Sequence, residues 1–259
     1  MSTSFRPDFS LQGKTALITG STQGLGLVIA RAYAASGARV IINGRDAERV
    51  STIVKALIAE GHDAYPFVQD ISRLADQELA FSQLCRSIGT PDILVNNVGI
   101  RIRKALGEAT LQDIIELINV DLIAAVQLSR LAAGAMADNG LQGRLITLTS
   151  IAGELARLGD AIYPIAKQGL CGMIRALAVE YGPSGITSNG IAPGTFATES
   201  NAELAADPVK GPVVVGRNPL GRWARPDEIG GAAVFLAAPC SSYVNGHILV
   251  VDGGFSVTF

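Results

Sequence analysis

Seven short apolar runs, each followed by a stretch with helical character, constrain the fold of this 259-residue chain more than any other feature. The runs are apolar throughout, which is the pattern of strands covered on both faces of a sheet. Alternating strands and helices predict right-handed crossovers and an α/β fold, a doubly wound parallel sheet of the Rossmann type with helices on both faces. No linker or shift in composition divides the chain, so one domain over residues 1–259 is expected. The predicted strands cover residues 15–19, 39–43, 64–69, 92–97, 143–150, 185–192 and 247–254.

Two predicted helices are apolar over more of their surface than packing on one sheet requires. They cover residues 111–137 and 165–179, and the second carries the small residues Ala166, Gly169 and Gly172. A helix that lies on a sheet needs only one apolar stripe. The additional apolar faces predict that these helices pack against another copy of the chain, in a homo-oligomer that is a dimer or a tetramer.

Charge and cysteine content narrow the range of partners. The net charge of −2 gives no basic field, so neither nucleic acid nor an anionic membrane surface is an expected partner. No apolar run reaches the length of a membrane span, and the first residues, MSTSFRPDFSLQGK, lack the apolar core of a signal peptide. Three cysteines and two histidines without ligand spacing predict neither a disulfide framework nor a metal site, and they favour a soluble cytoplasmic protein.

A glycine-rich loop, TGSTQGLG, stands between the first predicted strand and the first predicted helix. Its glycines are Gly20, Gly24 and Gly26. Backbone N–H groups at a helix N-terminus form an anion site, and glycines permit positive φ angles and close approach to a pyrophosphate. The loop therefore predicts a dinucleotide cofactor.

The end of the second predicted strand indicates which nicotinamide cofactor binds. In dinucleotide folds an acidic residue at this place holds the ribose 2′-hydroxyl of NAD. Here Gly44 takes that place and Arg45 follows, so a guanidinium can bind a 2′-phosphate, with a further hydrogen bond from Asn43. This arrangement favours NADP(H). NAD(H) would be the cofactor if Asp46 held the ribose instead, but Asp46 fits better as the N-cap of the next helix.

The loop glycines have the spacing of the short-chain dehydrogenase/reductase family, whose signature is TGxxxGxG, and the chain resembles that family from about residue 11 to residue 256. Further family landmarks follow in order: NNVG (96–99), Ser150, YPIAK (163–167), PGTFAT (193–198) and VDGG (251–254). The resemblance implies a nicotinamide-dependent oxidoreductase acting on CH–OH groups. It also implies cofactor contacts by Ser21, Thr22, Leu25, Asp70, Ile71, Asn96, Asn97, Gly99, Tyr163, Pro193, Gly194, Phe196 and Thr198.

Tyr163, Lys167 and Ser150 are the candidate reacting groups. Reduction of a ketone needs a hydride at carbon and a proton at oxygen, and free tyrosine, with a pKa of about 10, is a weak acid for that role. A lysine ammonium one helical turn away favours the phenolate. Tyr163 is therefore predicted to be the general acid in reduction and the general base in oxidation, with Ser150 donating a hydrogen bond to the substrate oxygen. By resemblance, Lys167 also binds the nicotinamide ribose.

Asp121 departs from the family pattern. The family carries an asparagine in the helix after NNAG that links the lysine to a proton-relay water, and that position falls on Asp121, 22 residues after Gly99. If the family residue acts through its backbone carbonyl, Asp121 can replace it in the catalytic set. If the side chain takes part, an additional negative charge changes the pH–rate profile. The sequence leaves both alternatives open.

The loops that follow the strands carry cations near the predicted reacting groups. Arg101, Arg103 and Lys104 come just after NNVG, and Arg157 lies between Ser150 and Tyr163. Several cations around an uncharged carbonyl predict a small keto or hydroxy substrate that bears a carboxylate, bound by Arg101, Arg103 and Arg157. By resemblance, residues 196–222 are expected to form the substrate lid.

Phrases such as IINGR, SIAGELAR and NGIAPGTFATE resemble the gluconate 5-dehydrogenase group within the family, which implies a sugar acid or polyol as substrate. A 3-oxoacyl thioester reductase or a broad-specificity ketone reductase is the alternative enzyme, because the loop cations could also dock an acidic carrier. A non-catalytic nicotinamide-binding scaffold is the alternative outside enzymes. The resemblance also implies a tetramer with contacts near the C-terminal segment VDGGFSVTF.

Overall fold

The computed structural model describes residues 7–259. The expected lack of a signal peptide concerns in part residues 1–6, which lie outside that range. Within it the chain forms one domain around a parallel sheet, and each predicted strand is present. The strands are β1 (Thr15–Ile18), β2 (Arg39–Gly44), β3 (Ala64–Val68), β4 (Ile93–Asn96), β5 (Arg144–Leu148), β6 (Thr187–Pro193) and β7 (Ile248–Val251). Their order across the sheet is β3-β2-β1-β4-β5-β6-β7, which confirms the doubly wound fold.

Helices lie on both faces of this sheet, as the apolar strand runs require. They are α1 (Gly24–Ala35), α2 (Ala47–Ala59), α3 (Leu74–Ile88), α4 (Leu111–Ile118), α5 (Ala124–Asp138), α6 (Ile162–Tyr181), α7 (Ala202–Ala206), α8 (Lys210–Val214) and α9 (Gly230–Ala237). None of the helices within residues 7–259 combines the length and the apolarity that crossing a membrane requires.

Successive strand residues enter two separate cores. Ile18 packs in a cluster with residues of α1, α2 and α9, whereas its neighbour Leu17 packs with residues of α3 and α5. Because side chains alternate across a strand, a strand between two such cores is apolar at every position. The central strands are buried apart from end residues of β1, β2 and β6, while β3 and β7, at the two edges of the sheet, are only partly buried.

The apolar segment 111–137, predicted as one helix, is interrupted. A π-helical turn, Asn119–Ile123, separates α4 from α5. Such a turn holds one additional residue, which re-aims the side chains around it and often marks a functional site. Hydrophobic periodicity does not reveal the interruption, since the apolar content is the same on both sides. Asp121 lies in this turn and is fully buried.

Candidate active site

A cavity of about 870 Å³ opens at the carboxyl ends of the strands. It lies where the strand order reverses between β1 and β4, which is where doubly wound sheets bind their ligands. The predicted site residues that line it are Gly20, Thr22, Gly24, Leu25, Asn43, Arg45, Asp70, Ile71, Asn97, Gly99, Arg101, Ser150, Tyr163, Pro193, Gly194, Phe196 and Thr198.

The glycine loop brings backbone donors to this cavity. Gly20 and Gly24 have φ angles of +61° and +56°, in the left-handed region that glycine adopts without strain. A Cβ at Gly26 would lie 2.5 Å from the carbonyl oxygen of Gly20, so only glycine fits there without moving the loop. Gly26 does not line the cavity; its role is to let α1 begin directly against the loop.

A carboxylate from the predicted lid occupies part of this anion site. The N–H of Gly24, the first residue of α1, donates to Oε2 of Glu199 at 3.0 Å. The Glu199 oxygen stands in for a phosphate oxygen at a helix N-terminus, where negative charge is favoured. The N–H at the start of α1 is therefore placed to donate to an oxygen of a dinucleotide pyrophosphate.

Ser21 and Asn43 shape the loop rather than offer groups to a ligand. The buried Ser21 hydroxyl donates to the Ile18 carbonyl at 2.7 Å and accepts from the N–H of Asn43. The Asn43 side chain donates to the carbonyls of Phe67 and Gln69 and accepts from the N–H of Gly20. The predicted additional hydrogen bond from Asn43 to the cofactor is corrected, because both ends of its amide already have protein partners.

The end of β2 excludes a carboxylate at the position typical of NAD-binding proteins. A Cβ at Gly44 would lie 2.9 Å from Cγ2 of Thr22, so a side chain there would displace the loop. Asp46 is the N-cap of α2, as predicted, and accepts from the N–H groups of Glu48 and Arg49 at 3.0 and 3.1 Å. The exposed Arg45 lines the cavity beside them.

Asp70 and Asn97 line the same half of the cavity. Asp70 accepts from the hydroxyl and the N–H of Ser72, and these hydrogen bonds lower the pKa of Asp70, with a smaller contribution from Arg45. Asn97 donates from its side chain to the carbonyls of Thr19 and Gly20.

The prediction for Asn96 is corrected: its buried side chain donates to Ser129 Oγ on α5. Adjacent residues at a strand end point to opposite sides, so Asn97 faces the cavity and Asn96 does not.

Ser150 and Tyr163 line the substrate end of the cavity. Ser150 follows β5, and its Oγ accepts from the N–H of Ala152 at 3.1 Å, which leaves its own hydrogen available to a ligand. Tyr163 lies in the first turn of α6, where Pro164 is tolerated because the N–H groups there have no intrahelical partners. Lys167 follows one turn later, is 3% exposed and holds its Nζ 5.2 Å from the centre of the Tyr163 ring.

Asp121 contacts the lysine through its side chain. Its Oδ2 lies 3.2 Å from Lys167 Nζ, and its Oδ1 accepts from the N–H of Ile100 at 2.6 Å. Burial raises the pKa of Asp121, and Lys167 and the Ile100 N–H oppose that shift. A Cβ at Gly99 would lie 2.9 Å from Asp121 Oδ2 and 3.1 Å from Lys167 Nζ. Neither Asp121 nor Lys167 lines the cavity, so the pair acts from beneath its surface.

The predicted substrate cations have different surroundings. Arg101 lines the cavity, its guanidinium lies 4.6 Å from the centre of the Tyr163 ring, and its Nε and Nη2 both donate to Oδ2 of the buried Asp160. Arg103 and Arg157 are exposed and do not line the cavity, so the prediction that they face the substrate is corrected. Arg103 lies on the loop after β4 and Arg157 on the loop after β5.

The basic docking patch considered for an acidic carrier is largely neutralised. Lys104 Nζ donates to both carboxylate oxygens of Asp113 at 2.9 and 2.8 Å, and the pKa of Asp113 falls to about 2 because of that contact and its bonds to Thr110. Arg101 is paired with Asp160. Only Arg103 of the three loop cations has no carboxylate partner within residues 7–259.

Sequence reasoning did not identify Asp160 or the wall that α4 adds to the cavity. In the sequence, Asp160 is a carboxylate three residues before Tyr163, and no motif indicates that it pairs with Arg101. The residues of α4 that line the cavity form no motif either, because they follow an ordinary helical pattern. The cavity residues in and after α4 are Gln112, Ile115, Glu116, Asn119 and Val120.

Known proteins are similar to this chain over nearly its whole length. A family model described as enoyl-(acyl carrier protein) reductase matches residues 20–256. The chain is 38% identical to gluconate 5-dehydrogenase of Gluconobacter oxydans, over 97% of this chain and 98% of that protein. It is 36% identical to 5-keto-D-gluconate 5-reductase of Escherichia coli, over 96% of this chain and 98% of that protein. It is similar in structure to a gluconate 5-dehydrogenase from Burkholderia cenocepacia in complex with NADP and tartrate. The TM-score of that match is 0.93 at 36% identity, covering 98% of this chain and 99% of the other.

Proposed function

Since the chain belongs to the short-chain dehydrogenase/reductase family, we propose that it interconverts the ketone of a keto sugar acid or polyol and the corresponding secondary alcohol with NADP(H). The observation that carries the proposal is the meeting of Ser150, Tyr163 and Arg101 at one end of a cavity whose other end holds the glycine loop. A donor for a carbonyl oxygen, a proton source and a guanidinium for a carboxylate are thereby available to one small molecule.

The substrate class is supported by the names of the relatives and by a nitrogen of Arg101 that has no hydrogen-bond partner within residues 7–259. The names of the Gluconobacter and Escherichia relatives specify gluconate and 5-ketogluconate, and the Burkholderia structure contains tartrate. Arg101 uses Nε and Nη2 on Asp160, and its Nη1 has no hydrogen-bond partner within residues 7–259. A substrate carboxylate can accept from that nitrogen, since guanidinium–carboxylate contacts are among the strongest hydrogen bonds in proteins.

The reaction follows from the roles of the side chains. NADPH, when bound, supplies the hydride that the carbonyl carbon receives. Ser150 donates a hydrogen bond to the carbonyl oxygen and stabilises the charge that develops there. Tyr163 then gives its phenolic proton to that oxygen, and in the reverse direction its phenolate takes the proton back. Lys167 and Asp121 lie beneath the tyrosine and set the charge on that side of it.

The cofactor preference rests on the end of β2. Arg45 is available to the 2′-phosphate of NADP(H), and the contact of Thr22 with Gly44 leaves no room for the acidic side chain that would hold an NAD ribose. The Glu199 contact at Gly24 supports an anion site at the head of α1. We propose that the cofactor lies along the predicted cofactor residues that line the cavity, and that Lys167 lies beneath its nicotinamide ribose.

The assembly, the lid and the location in the cell belong to the same proposal. Apolar side chains remain exposed on α6 and on the π-turn region, among them Ile165 and Ile123, and on the C-terminal segment, including Phe259. These surfaces support a homo-oligomer, which we propose to be a homotetramer. We also propose a cytoplasmic location and residues 196–222 as the lid. Sedimentation should give a species larger than the monomer at micromolar concentration, and a stable monomer would contradict the assembly.

The test of the reaction is the consumption of NADPH, followed by its absorbance, across a panel of candidate substrates. The panel contains 5-ketogluconate, other keto sugar acids, uncharged ketoses and acetoacetyl thioesters, each with NADPH and with NADH. Turnover of keto sugar acids with a preference for NADPH is the expected result. Preference for thioesters would identify a 3-oxoacyl reductase, and tight NADPH binding without any turnover would identify a non-catalytic scaffold.

A further inference from the structure

A second cavity lies at the edge of the sheet opposite the active site. Its volume is about 290 Å³, and it opens where β1, β4 and β5 begin, beside the end of α9. We call it the amino-end cavity, and it is lined by Lys14, Asp92, Ile93, Gln142, Arg144, Ala237, Pro239 and Ser242. None of these residues lines the active-site cavity, so the proposed reaction makes no use of them.

Arg144, the first residue of β5, brings a buried guanidinium to the amino-end cavity. The residue is 7% exposed. Its Nη1 donates to the carbonyls of Gln142 and Gly143 at 3.2 and 3.0 Å, which orients the group. Its Nε and Nη2 have no hydrogen-bond partner within residues 7–259. Two of the three nitrogens of this buried cation are therefore left without an acceptor.

No carboxylate balances the charge of Arg144. Asp92 lines the same cavity, but its Oδ1 accepts from Lys14 Nζ at 3.1 Å and its Oδ2 accepts from the N–H of Thr15 at 2.9 Å. Arg144 forms no ion pair within residues 7–259, and residues 1–6, MSTSFR, contain no aspartate or glutamate. Burial lowers the pKa of Arg144, but a guanidinium keeps its proton in proteins. The cavity thus has two cations against one carboxylate.

Arg144 differs in this respect from the other buried charges. Within residues 7–259, the other charged side chains that are similarly buried are Asp121, Asp160, Lys167 and Asp252. Each of those has an oppositely charged partner or accepts hydrogen bonds from backbone N–H groups. A buried charge without a partner is costly, because it has lost its water and gained nothing in exchange. An anion in the amino-end cavity would remove that cost at Arg144.

We propose that the amino-end cavity binds a small oxyanion, a carboxylate or a phosphate group, with Arg144 as its main ligand. Nε is enclosed by protein, so the anion contacts the guanidinium through Nη2. Because the guanidinium charge is delocalised, an anion at Nη2 also offsets the charge that Nε shares. The partly exposed Lys14 supplies a second cation at the rim. This proposal does not rest on the proposed function.

The size and the lining of the cavity limit what can bind. Small-molecule pockets usually have volumes of roughly 300–1,000 Å³, so this cavity is at the small end and has no room for a nucleotide. Ser242 and Gln142 add polar groups to the lining, whereas Ile93, Ala237 and Pro239 are apolar. A compact anion that bears a short carbon chain matches this combination.

Inorganic phosphate and acetate are the probes, titrated separately by calorimetry into the protein saturated with NADPH. The bound NADPH keeps phosphate out of the glycine loop and away from Arg45, and chloride at equal ionic strength corrects for screening. We expect saturable binding of a single anion per chain at millimolar concentration, with a melting temperature that rises and then levels off. Tighter binding of phosphate or of acetate identifies the group that the cavity prefers. No saturable binding of either would overturn the proposal.

Arg144→Met locates the site, because it removes the charge and keeps most of the side-chain length. The affinity for the bound anion should fall by at least about tenfold, since charge-assisted hydrogen bonds are lost. Turnover should stay unchanged, because Arg144 lies outside the active-site cavity. Arg130→Met, at an exposed arginine of α5 that lines neither cavity, should bind the anion as the parent does. Equal affinities in Arg144→Met and the parent would overturn the proposal.

Lys14→Met is the second variant, used if Arg144→Met does not fold. It leaves the contacts of Arg144 with the two carbonyls in place but takes the cation from Asp92, which then repels an anion in the same cavity. Anion affinity should fall by about tenfold. An unchanged affinity in Lys14→Met would place the anion elsewhere and overturn the proposal.

Discussion

The two halves of the cavity are built in different ways. The half at β1 and β2 is shaped by backbone groups and missing side chains: the N–H of Gly24, Gly44 packed under Thr22, and Gly26 behind the lining. The half at α6 is supported by charged side chains that meet from distant parts of the chain, Arg101 with Asp160 at the surface of the cavity and Lys167 with Asp121 beneath it. Backbone geometry suits a cofactor whose shape is constant. Charged side chains suit a reaction in which a proton is transferred.

The largest expected effect is on the charged half. Tyr163→Phe removes the proton source and should lower ketone reduction by about 10²- to 10⁴-fold. NADPH affinity, followed by the fluorescence of the bound cofactor, should change by no more than a few-fold, because the glycine loop is untouched. Tyr243→Phe, a change at a fully exposed tyrosine, is the control. Parallel losses of NADPH binding and turnover would show that the two halves are not separable.

Arg45→Asp tests whether this one side chain determines the preference for NADPH over NADH. Loss of a charge-assisted contact worth about 1.5–3 kcal/mol should lower the NADPH-to-NADH preference by about 10- to 100-fold. The preference is measured as the ratio of kcat/KM values for the two cofactors. Arg49→Asp, with the same change of charge in the first turn of α2 and outside the cavity, should leave the ratio nearly unchanged. A constant ratio in Arg45→Asp would remove this residue from the cofactor site.

Gly26→Ala tests the backbone half without any change of charge. The new Cβ would lie 2.5 Å from the Gly20 carbonyl, so the loop must move, at a cost of about 1–3 kcal/mol in the free energy of unfolding. NADPH binding should weaken by about tenfold, since each 1.4 kcal/mol of lost contact is tenfold in affinity. Gly231→Ala, where nothing lies within 4 Å of the new Cβ, should not reduce stability. Equal melting temperatures for the two variants would contradict the close approach at Gly26.

Glu199→Gln has the smallest expected effect. It changes the carboxylate that contacts the glycine loop, through the N–H of Gly24. Removing the carboxylate that accepts from Gly24 takes away a competitor for the anion site, so NADPH should bind about 2- to 5-fold more tightly. Calorimetric titration of NADPH measures the change. Glu203→Gln, on α7 of the same segment, makes the same change of charge without contacting the loop. Weaker binding in Glu199→Gln would mean that the carboxylate supports the cofactor instead of competing with it.

The sequence predicted the backbone half more completely than the charged half. The glycine spacing, the exclusion of an acid at Gly44 and the N-cap at Asp46 are local relations, and strand and helix geometry fixes them within a few residues. The pairing of residue 101 with residue 160 depends on the path of two loops, which no periodicity encodes. Asp121 was located by its spacing from Gly99, but its direct contact with Lys167 follows from the π-helical turn, which the sequence did not reveal.

The close approach at Gly99 has a consequence for altering this protein by mutation. Its missing side chain leaves the space in which the Asp121 and Lys167 side chains meet, so positions 99, 121 and 167 share one small volume. A larger side chain at any one of them should therefore be tolerated only when another of the three becomes smaller. A change that keeps the volume, such as Asp121→Asn, should fit alone. Other enlarging substitutions at these positions have to be combined, whereas residues that line the cavity can be replaced one at a time.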